Sequence, residues 1–433
     1  MKTISALLFA WALLNSASAF ASWKLENSLN LTPLYYFESA GQNTSMWSAP
    51  IRDQLTLGYK ANKDLKFRLA PYFYSDPSST SPSEQAIFDL QEANVDFHHG
   101  DFRIKTGINS IAWGVTDICN PMDVVSARRY TDLLNAEKRG VPSVELLFDN
   151  GPWLAEAIYV PVNFPSIMPG ENSRWLPRDL VYDRDTPQAV LTIGNPFQYH
   201  YAENAARDDA FHNNFGFRLE HHGSALDIQA IFFQGSPTAP AILTPLLLDN
   251  ASSIIGQANL IAYEVTLQPV YYLRRTVGLG AVLTLDTTII RFAVSNSDRM
   301  NNEGDLPGWA QAAVLGVEKN FSVWDSTLTA LLQATYGAHE DQDDNTVTSL
   351  DRVFDQSWLL GLRLATSADW NFSAAGLYDS LHQGGYIQVK MEHKLRDGLL
   401  GTLASDWIDG GSGSPLGSYR INKRVIAGLT VSL

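Results

Sequence analysis

Apolar and polar residues alternate with a period of two in one segment of the chain after another. In "DLKFRLAPYF", Leu65, Phe67 and Leu69 share one face and Lys66 and Arg68 the other. "DFRIKTG" sets Phe102 and Ile104 against Arg103 and Lys105, and "NFGFRLEHH" sets Phe215, Phe217 and Leu219 against Arg218 and Glu220. "WLLGLRLAT", "DWNFSAAGLYDS", "GYIQVKMEH", "LLGTLASDW" and the final "KRVIAGLTVSL" continue the pattern. Successive side chains of a strand point to opposite faces, so the pattern predicts half-exposed strands at hairpin spacing. Candidate segments run from 23–37 and 51–60, through 258–270, 274–286 and 287–295, to 423–433. They are odd in number, whereas single-chain bacterial barrels have an even count, so one segment in the continuous stretch from Ala258 to Val294 is surplus.

A soluble sandwich would bury the apolar face in a core, and a membrane barrel would turn it to lipid around a polar lumen. Several features favour the membrane. Small residues such as Gly361, Ala374, Gly376 and Gly401 are read on apolar faces, which suits lipid contact better than a packed core. Aromatic residues mark strand ends (Trp23, Tyr59, Tyr72, Trp153, Trp309, Trp324, Trp358, Trp370, Trp407), as in an interfacial girdle. The first residues read as a signal peptide: Lys2, the short apolar run "ISALLFAWALL", then "SASAFA", with cleavage expected after Ala21. The expectation is an all-β fold, a transmembrane antiparallel β-barrel of about 18 strands with about 16 as the alternative. It occupies residues 22–433, in the outer membrane of a Gram-negative bacterium.

Composition agrees. The chain carries 11 Trp, 17 Tyr and 20 Phe, with 18% charged residues. The single Cys119, expected to be a small buried residue, excludes an intramolecular disulfide. A net charge of −15 argues against nucleic acid as a partner. The partners expected are outer-membrane lipid, lipopolysaccharide and small-molecule solutes, with the oligomeric state left open.

One stretch breaks the alternation. After "DFRIKTG" the chain runs "INSIAWGVTDICNPMDVVSARRYTDLLNAEKRGVP" before alternation resumes at "SVELLF". Its charges and irregular backbone cannot face lipid. A barrel this wide needs something to narrow it, so Val115 to Lys138 is expected to fold inward as a pore constriction. The candidates there are Trp113, Asp117, Asn120, Asp123, Arg128, Arg129, Lys138 and Arg139, with the basic residues facing Asp117, Asp123, Asp132, Glu137 or the wall. A short helix is expected to open at Asp123 and close by Gly140. The stretch resembles a family of porin-like outer-membrane proteins akin to the alginate-export porins. The resemblance rests on Trp113-Gly114, Asp117, Asn120-Pro121, Asp123, Arg128-Arg129, Arg139 and Pro142, between Gly107 and Pro165. It implies an outer-membrane channel without naming a solute.

The remaining loops divide by character. Pro161 to His212 is read as a large extracellular cap. The apolar run Ser236 to Gly256 is expected to pack inside the barrel or on a cap, the alternative being a greasy entry for hydrophobic solutes. The acidic run from His339 to Asp355 is placed outside, where divalent cations can bridge it to lipopolysaccharide. No Gly-x-Ser-x-Gly, His-Glu-x-x-His or Cys-x-x-Cys motif occurs, and no cofactor is expected. The pairs His98-His99 and His221-His222 would point to opposite faces of their strands and chelate poorly. The expected pore-wall residues are Lys66, Arg68, Arg103, Lys105, Arg218, Arg291, Arg363 and Lys390. They predict a weak anion preference or none, despite the acidic chain. The expected function is a passive or weakly selective porin, not an enzyme. The alternatives are a transporter specific for an acidic or hydrophobic solute and, more remotely, a barrel enzyme.

Overall fold

The computed structural model describes residues 22–40, 45–176, 179–181, 190–243, 259–300, 306–340, 350–366, 369–411 and 414–432. The signal peptide expected over residues 1–21 lies outside them, as do the middles of the apolar and acidic loops.

An 18-strand antiparallel barrel forms the body of the protein. Its first nine strands are β1 (Ser22–Leu31), β2 (Ile51–Lys60), β3 (Leu65–Ser75), β4 (Ile87–His99), β5 (Phe102–Asn109), β6 (Val141–Asp149), β7 (Trp153–Val162), β8 (His212–His222) and β9 (Leu226–Gly235). The rest are β10 (Arg274–Leu285), β11 (Thr288–Arg299), β12 (Ala310–Val323), β13 (Ser326–His339), β14 (Ser357–Ala365), β15 (Trp370–Asp379), β16 (Gly384–Arg396), β17 (Leu399–Asp409) and β18 (Arg424–Ser432). Each pairs with the next, and β1 closes on β18 from Ser28↔Ser432 to Leu31↔Leu429. The short segments Leu34–Tyr36 and Trp47–Ser48 extend this seam beyond β1.

The two rims differ. At the rim where β1 begins and β18 ends, the strands are joined by short turns. Several of these place a residue in the left-handed region, among them Asp286, Trp324 and Asp369 at φ 50–61°. Such residues let the reversal follow the right-handed strand twist. The opposite rim carries every long loop. Alternation sorts the side chains as the sequence pattern requires: Phe67, Phe102, Ile104, Phe217, Leu315, Leu360, Ile387 and Leu403 stand exposed on the outside. Aromatic pairs ring both rims, such as Trp23 with Tyr59 at the turn rim and Tyr35 with Trp47 at the loop rim. Of the residues read as a girdle, Tyr72 does not belong to it. Its neighbour Phe73 faces out, so Tyr72 faces in and is buried. Gly361 likewise lies on the inward face, between the exposed Leu360 and Leu362.

The surplus strand is 258–270. Asn259–Tyr271 alternates but takes no place in the wall; it runs parallel to Val190–Tyr201 in a separate sheet of five strands. Asp179–Val181, Ala205–Ala206 and Ala241–Leu243 complete that sheet. Two long loops, β7–β8 and β9–β10, therefore fold together as one cap on the loop rim. The packed cores of the protein lie at this end.

Candidate functional site

The chain from Ser110 to Gly140 leaves β5 at the loop rim and returns to β6 after crossing the inside of the barrel. Its first half lies on the wall formed by β6 to β11. Trp113, Met122 and Val125 are buried with Val141, Ile158, Val160, Ile231, Phe233 and Ala293, all inward-facing wall residues, and Val115 packs beside them. Two wall glycines make room. A Cβ on Gly278 would lie 3.0 Å from Met122, and one on Gly280 would lie 2.8 Å from Val115. The second half reaches the far side. Leu133 and Leu134 pack against the cluster of Trp175, Val353, Ile408 and Leu416, beside Leu377 and Tyr386 of β15 and β16. Met122 touches β10 and Asp132 touches β18, nearly opposite each other around the barrel.

Local chemistry shapes the segment. Gly114 sits at φ +109°, and a Cβ there would lie 2.0 Å from the Asn120 carboxamide, so only glycine fits. Asn120 Nδ2 donates to Trp113 O at 2.8 Å and its Oδ1 accepts from Met122 N at 3.1 Å, tying the loop into a knot. Trp113 Nε1 donates to Glu156 Oε2 on β7 at 3.1 Å. Asp123 accepts from Lys138 Nζ at 2.7 Å and from Arg128 Nη2 at 2.5 Å. Those contacts consume the carboxylate that would have capped a helix, and no α-helix forms between Asp123 and Gly140. Arg128–Arg129 instead pairs with Glu137–Lys138 as a small hairpin, around a 3-10 turn over Leu133–Asn135 capped by Asp132. Cys119 is half-buried rather than buried.

Charged groups fasten the segment to the wall around the circumference. Asp117 lies 3.4 Å from Arg291 of β11. Arg129 lies over the Tyr72 ring at 3.8 Å and donates to Asp89 Oδ2 of β4 at 2.9 Å. Arg139 also reaches Asp89, at 2.8 Å. Glu137 meets Arg52 of β2 at 3.3 Å. Asp132 meets the fully buried Arg424 of β18 at 2.8 Å, and Arg424 donates to Asp406 of β17 at 2.6 Å. Burial alone would raise the Asp132 carboxyl, but Arg424, Asn135 and Arg52 outweigh it and hold it below the ordinary carboxylate range. In the neighbouring loop burial wins, pushing the Glu84 carboxyl up although Gly170 and Ser79 donate to it.

All eight basic residues read for the pore wall lie on inward positions. Most are paired: Arg68 with Glu92, Arg103 with Asp96 at 2.6 Å, Lys105 with Glu92 at 3.7 Å, Arg218 with Glu156 at 2.6 Å, Arg291 with Glu318 at 3.0 Å and Lys390 with Glu392 at 3.0 Å. Among the described residues, Lys66 and Arg363 make no ion pair. Sequence reading places Asp89 and Glu156 among the polar-face acids of the wall without their anchoring role, and it missed Asp406 and Arg424. The signal for Arg424 was present, since it directly precedes the outward Val425 and must point inward.

No family model and no curated protein matches the sequence. Among solved structures, the chain is similar to OccK3 (OpdO) of Pseudomonas aeruginosa, at 9% identity over 94% of this chain and 95% of that one, with a TM-score of 0.48. It is similar to OmpT of Vibrio cholerae at 8% identity, over 96% and 100% of the two chains, with a TM-score of 0.45. A mutant Rh. blastica porin stands at 9% identity over 95% and 100%, with a TM-score of 0.42.

Proposed function

We propose that this protein is an outer-membrane channel for small solutes, passive or weakly selective, with Ser110 to Gly140 setting the width of its pore. The observation that carries the reading is the crossing itself: one segment touches the wall at β2, β4, β10, β11 and β18, so solute traversing the lumen must pass it. The exterior supports a bilayer setting, since a predominantly apolar band between two aromatic rims has no other favourable solvent. Wall charge supports the selectivity. Lys66 and Arg363 make no ion pair among the described residues, but Glu145 on the same inward face has none either. Glu156 and Glu220 share Arg218, so the wall stays near neutrality and gives weak anion preference or none. In this reading the motif residues Trp113, Asp117, Asn120, Asp123, Arg128, Arg129, Lys138 and Arg139 hold the constriction in place, and the barrel carries no catalytic role. Lipid and lipopolysaccharide are its surroundings, and small solutes its cargo.

Planar-bilayer recording tests the proposal. Purified protein should give discrete conductance steps, and replacing Val115 to Lys138 by a short glycine-serine link should enlarge them. A correctly folded barrel that conducts equally with and without the segment would show that the segment only caps the pore.

A further inference from the structure

The inward face of the wall is wet near one rim and dry near the other. Towards the turn rim, Arg68 and Arg103 keep 52% and 44% of their side chains exposed, and Lys66 and Arg363 are exposed with them. Towards the loop rim, Tyr74, Asn109, Asn214, Ser297, Asp379 and Arg424 take inward positions on strands spaced around the whole ring, and all are buried. An open mouth would leave such side chains in water. The crossing from Ser110 to Gly140 accounts for part of this seal, and a second crossing runs beside it.

That crossing is the first part of the β7–β8 loop, residues 163–175. Near β7, Asn163 Nδ2 donates to Asn214 Oδ1 of β8 at 3.2 Å. The chain then lies along the inner segment, where Tyr130 N donates to Ile167 O at 2.7 Å and Ile167 N to Arg128 O at 2.9 Å. Gly170 N donates to Glu84 Oε1 in the β3–β4 loop at 2.9 Å, and a Cβ on Gly170 would overlap Ser81. At the far end Arg174 closes on the β1–β18 seam. Its Nε donates to Asn422 Oδ1 at 2.9 Å, its Nη2 to Glu38 O at 2.8 Å and its Nη1 to Ser45 O at 3.1 Å, while the guanidinium lies over the Tyr36 ring at 3.4 Å. β8 and β18 stand nearly opposite each other in the ring, so these residues span the mouth.

We propose that residues 163–175 are a strap that shuts the barrel's mouth and opens it when Arg174 leaves the seam. The two ends differ in a way that puts the motion there. One end is continuous with β7, whereas Arg174 is held by backbone carbonyls and a side-chain amide, bonds that water replaces once the strap lifts. Trp175 beside it is buried with Ile408 and Leu416, which makes the closed arrangement the resting one. The inner segment then sets the size of the open pore, and the strap sets how often it is open. This inference rests on the channel reading for its consequence, though not for the closure itself.

Two measurements on the full barrel in bilayers test it. The wild type should be closed most of the time, with brief openings. Arg174→Ala, and independently Gly170→Val, which forces the strap off Ser81, should raise the open fraction about tenfold or more without changing the size of the unitary step. In a Cys119→Ser background, Thr131→Cys reports closure directly, because Thr131 is buried in the small polar cleft that Ser173 and Arg174 also line. A bulky maleimide should label it slowly, and about tenfold faster once either strap substitution is added. A steadily open wild type overturns the proposal, as does labelling that neither substitution accelerates. Larger steps at an unchanged open fraction would also overturn it, by making the strap a second constriction. Faster labelling in barrels that never conduct would uphold the closure and overturn the channel reading beneath it.

Discussion

Trp113 and Arg218 donate to the same atom, Oε2 of Glu156, at 3.1 and 2.6 Å. One wall carboxylate thus joins the inner segment to the barrel's own charge ladder. Replacing Trp113 with Ala leaves the Arg218–Glu156 pair intact but empties an indole-sized site, a loss of about 3–5 kcal/mol in local packing. The barrel should still fold and insert, while protease cuts between Val115 and Lys138 much faster than in the wild type. Single-channel current should become larger and noisier.

Gly280 is the mirror test, made from the wall side. Its absent Cβ leaves the space that Val115 and Met122 fill. Gly280→Val should overpack this contact by about 1–3 kcal/mol and push the segment off the wall, raising conductance. Gly361→Ala is the control, because a Cβ there meets Leu331 at an ordinary 3.5 Å. Its conductance should match the wild type.

Acid should loosen the far end of the segment. The Asp132 carboxyl is held low by Arg424, Asn135 and Arg52 against the opposing pull of burial. A depressed folded value means that the stabilisation is complete above the unfolded carboxylate range, roughly pH 4, and fades as pH falls through the lower folded value. Conductance and protease sensitivity should therefore stay flat near neutrality and rise only in strongly acidic buffer. Asp132→Asn should show the loosened behaviour already at pH 7 and lose the acid dependence.

The selectivity reading turns on Lys66 and Arg363. A reversal potential measured in a salt gradient should show weak anion preference or none in the wild type. Lys66→Glu combined with Arg363→Glu should move it clearly towards cations, and more so at low salt, where screening is weak. Strong cation selectivity in the wild type would mean that acidic loop residues govern the permeation path.

The wall was legible in the sequence because strand parity is fixed by backbone geometry. Phe67 and Arg68 must part company whatever surrounds them. Parity of the strand count even located the surplus segment within Ala258–Val294. It could not say which segment was surplus, since Asn259–Tyr271 alternates as cleanly as a wall strand while pairing with another loop. Alternation reports two different faces, not what each face meets. The helix expected after Asp123 failed for a related reason. Val125 packs towards one side of the lumen and Leu133 and Leu134 towards the other, so their spacing reflects a crossing chain rather than one helical stripe. That Asp89 and Glu156, legible as polar-face acids, hold the inner segment stayed hidden because their partners Arg129, Arg139 and Trp113 are distant in sequence.

Thr430 donates its hydroxyl to Asn30 at 2.6 Å across 400 residues of chain. Every other ladder of the wall joins strands that follow one another, so each can form as soon as its own hairpin exists. The closing seam cannot. Until β18 arrives, the growing sheet carries two raw edges, each a template for a neighbouring chain. The final step is also the one with the greatest loop entropy to overcome, which makes it the slow step of assembly. Refolding yield should then be governed by chain concentration, as intermolecular edge pairing competes with a single intramolecular closure.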